Sequence, residues 1–172
     1  MVISDLIADF LRYITVNVRS AQKIKLENES LPDIAYDDEQ LFKALCQFVW
    51  VQGDPLPLIF DVRDEVYKRQ GLTLSGLERL AALGLIEFDT QGFVKKGLGK
   101  HTRLFYCGKP TKIGFPDNTN NSLDLGHVLF TERGKQFFMA MTVNRNQQFY
   151  EYVIRRWFQS GVSLSSIQID RK

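Results

Sequence analysis

The chain has 172 residues, 44% of them hydrophobic, with a formal net charge of +2. That length suits one domain with room for an added helix or arm, and the apolar content is enough for a core. Net charge alone excludes no partner and favours none, so only its distribution can argue for nucleic acid, while two cysteines without CxxC spacing, Cys46 and Cys107, argue against a disulfide scaffold and a zinc ribbon.

The opening stretch MVISDLIADFLRYI carries Asp5 and Asp9 and no basic n-region, so it does not read as a signal peptide. No run approaches the ~18 apolar residues of a membrane span. A cytoplasmic protein is the expectation. Between residues 3 and 25, Ile3, Leu6, Ile7, Phe10, Leu11, Ile14, Val18 and Ala21 recur at helical spacing. They predict an amphipathic helix. Such a helix docks on a partner or a symmetry mate, or folds back on its own core. The expectation is a dimer held by Ile3, Leu6, Ile7, Phe10 and Ile14.

A polar connector, KLENESLPD, precedes a second predicted helix from Asp38 to Trp50. The run DDEQ offers an aspartate N-cap, with Gln40 in capping-box position. Leu41, Leu45, Phe48 and Val49 form the apolar face, and Cys46 reads as a small buried hydrophobe. Residues 52–60 hold two prolines and read as a loop leading into a short extended piece. Residues 61–70 suit a short helix.

GLTLSGLERLAALGLIEF, residues 71–88, predicts a helix with Ser75 and Glu78 as its capping box. Gly84 stands at the left-handed C′ position, and LIEF reads as strand. Ser75, Glu78, Arg79 and Ala82 form the outward stripe. Residues 89–93 read as a turn, 104–107 as a strand, 116–122 as a polar loop and 127–130 as a strand. Thr131 then caps a helix bearing Phe137, Phe138 and Met141. A last helix, about 146–159, shows apolar surface over a wide arc and stops at Gly161. VSLSSIQI alternates as an edge strand would. The division expected is an N-terminal helix (1–30), a central domain (31–142), and a C-terminal helix and tail (143–172).

Leu77, Leu80 and Gly84-Leu85-Ile86, followed by Leu129, Thr131 and Gly134, resemble the LxxLxxxGLI and LTxxG patterns of bacterial winged-helix regulators. The second departs from the pattern, with Phe130 before the threonine. Residues 38–141 also resemble the C-terminal part of uncharacterised bacterial conserved proteins, which bring no activity with them. The resemblance implies an α+β, winged-helix-like domain, here with an N-terminal amphipathic helix and C-terminal helices, and a regulatory role in transcription or defence. It speaks to fold more than to function.

Catalytic chemistry is poorly represented. His101 and His127 stand alone, and no HxxxH or CxxC supplies metal ligands. GLGKHT lacks the P-loop spacing, because Val94 stands where the first glycine belongs. No enzyme, metal or organic cofactor is expected. Charge distribution says more. No acidic residue occurs between Gln91 and Phe115, a span holding Lys95, Lys96, Lys100, His101, Arg103, Lys109 and Lys112. As a wing, these cations, with Arg79 and Ser75 of the preceding helix, would contact DNA or RNA weakly and through the backbone. A lysine-rich hairpin also protects strand edges from aggregation. That alternative leaves an interaction module in a multiprotein assembly, without affinity for nucleic acid.

Overall fold

The computed structural model describes residues 34–166. The association residues Ile3, Leu6, Ile7, Phe10 and Ile14 lie outside the described residues. Helix α1 spans Tyr36–Cys46. Ala35 occupies its N-cap and no side chain caps it, so the expected aspartate cap does not form. Asp37, Asp38 and Glu39 fill the first turn instead, where the helix dipole favours carboxylates.

The predicted helix also stops sooner, at Cys46 rather than Trp50. The apolar run that follows becomes strand β1, Val49–Gln52. Gly53, at φ +73°, turns it into β2, Asp54–Pro57. The segment expected as a loop is therefore half of a hairpin, with Val49 opposite Pro57 and Val51 opposite Pro55. Prolines are tolerated there because β2 is the edge of its sheet.

Two short helices follow, α2 (Glu65–Lys68) and α3 (Leu74–Ala82), joined by a turn in which Gly71 takes φ +79°. The side chain of Thr73, not Ser75, caps α3, accepting from the Gly76 amide at 3.1 Å. Leu77 and Leu80 are buried, and Ser75, Glu78, Arg79 and Ala82 face outward as the spacing predicts. Gly84 is left-handed at φ +73°.

A nested ribbon comes next. Strand β3 (Ile86–Leu98) pairs antiparallel with β6 (Asn121–Phe130), and β4 (His101–Tyr106) pairs with β5 (Lys109–Gly114) inside it. Residues 89–93 are not a turn. They belong to β3, whose pairing shifts register between Phe88 and Phe93 and again at Val94. Left-handed Gly92 and Gly126 sit at this irregularity, where bulges let a strand bend without ending. The distal half of the ribbon leaves β3–β6 and joins a different sheet. There the antiparallel order is β2-β1-β4-β5-β7, with β7 being Ser163–Ser166.

Helices α4 (Glu132–Ala140) and α5 (Gln147–Gln159) complete an α+β fold. Trp50 stands at the centre of the core, with ring centroids 5.2 Å from Tyr106 and 4.9 Å from Trp157. Phe149, Val153 and Trp157 bring α5 into the same core as α1 and α3. No helix among the described residues is long and apolar enough to cross a membrane.

Candidate nucleic-acid interface

The GLI and FTERG segments meet in space. The Thr131 hydroxyl donates to the Gly84 carbonyl at 2.6 Å and accepts from the Gly134 amide at 3.0 Å. Arg133 donates to the Leu83 carbonyl at 3.1 Å. The carbonyls left over at the end of α3 are thus satisfied by the start of α4. One junction holds α3 against the root of the ribbon, so the position of the helix and the path of β3 are set together.

The outward face of α3 is less free than its sequence suggests. Arg79 Nε lies 2.5 Å from Asp38 Oδ1, close enough for an ion pair although not aligned as a hydrogen bond. Asp38 is buried at the first turn of α1. Arg79 therefore neutralises a carboxylate of the fold. Ser75 is exposed, its hydroxyl 3.2 Å from that of Thr73. With Glu78 beside it, this face offers few of the groups that read base edges.

The cations of residues 91–115 do not share one hairpin face, contrary to the expectation of a single wing. Lys95 stands opposite Leu123 and is half-buried, whereas Lys96 is exposed. Lys100 lies where the ribbon passes from one sheet to the other and donates to the Pro116 carbonyl at 2.8 Å. His101 pairs with Gly114, and Arg103 with Lys112. Gly114 and Lys112 in turn face Ser163 and Ser165. Because side chains directly across a ladder share a face, His101, Arg103, Lys112, Ser163 and Ser165 line one side of the sheet. Leu104, Tyr106 and Ile113 fill the other side, toward the core. Lys109 lies on that second side, exposed beside the Cys107–Gly108 tip.

Partial desolvation, then the charges of Lys112 and Lys100, hold His101 below its ordinary value. Ion pairs engage many of the other described cations, though not Lys43, Arg133, Arg145 or Arg155. Carboxylates pair with Arg63, Lys68, Arg69, Arg79, Lys135 and Arg156. Among the described residues none pairs with Lys95, Lys96, Lys100, Lys109 or Lys112. Arg103 makes contacts of its own. Sequence alone could not bring Ser163 and Ser165 to this surface, since only the β5–β7 register does so.

Other chemistry is weak. His127 Nδ1 lies 2.9 Å from the Asp89 carbonyl oxygen, a local tie of β6 to β3. Burial pushes the Cys107 thiol up, and the Cys46 thiol further, so neither is an activated thiolate. Arg156 lies over the Phe60 ring at 4.4 Å, and Trp157 is buried in the core and unable to stack on a base. No protein family, curated protein or solved structure matches the chain.

Proposed function

We propose that this is a winged-helix-type protein that holds nucleic acid by its phosphates, through the cations of the β3–β6 ribbon and its β4–β5 extension. The order of elements supports the fold half of this reading. Helix α1 is followed by the β1–β2 hairpin, by two short helices joined at a glycine, then by a ribbon and another helix. One observation carries the functional half. Residues 91–115 of the ribbon hold six lysines and arginines and no carboxylate, and their five lysines are paired by no described carboxylate. Cations without a carboxylate partner are where phosphates displace counterions most readily. Since Arg79 is engaged by Asp38, binding is backbone-led and indifferent to sequence. A regulatory role in transcription or defence would draw its specificity from elsewhere.

A salt titration tests this. Anisotropy of labelled duplexes of unrelated sequence should report similar affinities that fall with salt. Replacing Lys95, Lys96, Lys100 and Lys112 together by Gln removes the charges and keeps an unbranched polar side chain. It should weaken binding and reduce the slope of log affinity against log salt by about 0.9 for each phosphate no longer neutralised. A wild-type chain that binds neither duplex nor single strand at low salt defeats the reading. The interaction-module reading then takes its place. It is favoured by the membership of β4 and β5 in the five-stranded sheet, where both have neighbours on either side instead of standing out as a wing.

A further inference from the structure

The two edges of the five-stranded sheet differ. On one side β2 presents Pro55 and Pro57, which lack the donors another strand would need. On the other, β7 reads SLSS, without proline or charge, and has no neighbour beyond it among the described residues. Natural sheets protect such edges, and an unprotected one is a template for pairing. Beside it α5 hangs Ile154 and Phe158 over Leu164, forming an open, largely apolar groove of about 560 Å³. Phe158 is 71% exposed. Glu151 and Arg155, one helical turn apart on α5, border the same groove.

We propose that this edge and groove join two copies of the chain, with β7 pairing antiparallel to the partner's β7 across a two-fold axis perpendicular to the sheet. A two-fold contact meets itself, so its patch must be self-complementary. This patch is. The axis reverses the direction of α5, so the two α5 helices run antiparallel. Glu151 of each then comes opposite the partner's Arg155, with Ile154, Phe158 and Leu164 of both copies between them. The pairing needs no rearrangement, because β7 is already held in register by β5, Leu164 opposite Ile113.

The same axis leaves both sheet faces unflipped. The sides bearing His101 and Lys112 become one surface, with the two β5 strands three strand spacings, about 14 Å, apart. That consequence rests on the proposed nucleic-acid reading, whereas the association itself does not.

Sedimentation of the full-length chain tests the contact without nucleic acid. The wild type should be a dimer. Phe158→Glu should be a monomer with unchanged circular dichroism, because that side chain is exposed. Glu151→Arg and Arg155→Glu should each weaken the dimer roughly tenfold or more by opposing like charges. The double swap should restore it, which a failure to fold could not do. A monomeric wild type overturns the proposal. So does a dimer that survives Phe158→Glu and both charge changes, or one dissolved by Leu6→Glu with Phe10→Glu but indifferent to the swaps. Either of the latter results would place the contact elsewhere.

Discussion

A β-carbon at Gly134 would overlap the carbonyl oxygen of Leu85, and one at Gly126 would overlap the carbonyl oxygen of Ile59. Gly126 is also left-handed at φ +76°. Both obstacles are backbone, which cannot swing aside like a side chain. Gly134→Ala should lower stability by about 1–3 kcal/mol, as overpacking does in other cores, and Gly126→Ala by at least as much because strain adds to the clash. Gly99 has open space around it and no left-handed backbone. Gly99→Ala should change stability by no more than about 0.5 kcal/mol. Urea denaturation of the three variants checks this, and equal effects would refute the account of the α3–α4 junction. Gly134 is visible in the sequence as the last residue of an LTxxG-like pattern. The reason for it is not, because Leu85 lies far from it along the chain. Arg79 is a similar case. Its outward position is legible from helical spacing, but its buried partner Asp38 belongs to another helix.

Among the elements, helix ends separate into two kinds. Where one candidate stands at a boundary, sequence and structure agree: Thr131 caps α4, and Gly84 and Gly161 end their helices. Where candidates compete they part. Thr73 and Ser75 both precede apolar positions of α3, and only Thr73 has the extended backbone of an N-cap, at φ −134° and ψ 163°. Thr73→Ala should therefore cost about 1 kcal/mol, within the usual range of roughly 0.5–2 kcal/mol for removing a cap. Ser75→Ala should be close to neutral or slightly stabilising, since alanine favours a first helical turn. Thermal unfolding of the two variants decides between the caps; a larger effect at Ser75 would restore the capping box. The strands show the same limit. The FVWV run, 48–51, continues the apolar spacing of α1, and short apolar runs read equally as helix or buried strand. Residues 89–93 have turn chemistry, but β6 supplies a partner that lets a bulged strand absorb it.

For the whole molecule, the absence of carboxylates from 91–115 is plain in the sequence, and the division of its cations between two sheets is not. That division depends on strands pairing over long separations, which local pattern does not encode. The resulting charge arrangement has a consequence for stability that is independent of any ligand. Folding sets Lys112 directly across from Arg103 and brings it, with Lys100, beside His101, whereas Arg63, Lys68, Arg69, Arg79, Lys135 and Arg156 each gain a carboxylate partner. Like charges brought together on neighbouring strands destabilise by a few tenths of a kcal/mol each. Salt screens this repulsion, the Debye length falling from about 10 Å at 0.1 M to about 3 Å at 1 M. The variant with these four lysines changed to Gln should thus be more stable than the wild type at low ionic strength, and the gain should vanish near ~1 M salt. A polyanion should act in the opposite sense, raising the unfolding midpoint of the wild type by binding the folded state and leaving that of the variant nearly unchanged. Denaturation across a salt series, with and without a short duplex, measures both effects. If the variant is instead the less stable protein at low salt, the lysines are already compensated within the fold, and the ribbon is not a surface waiting for phosphates.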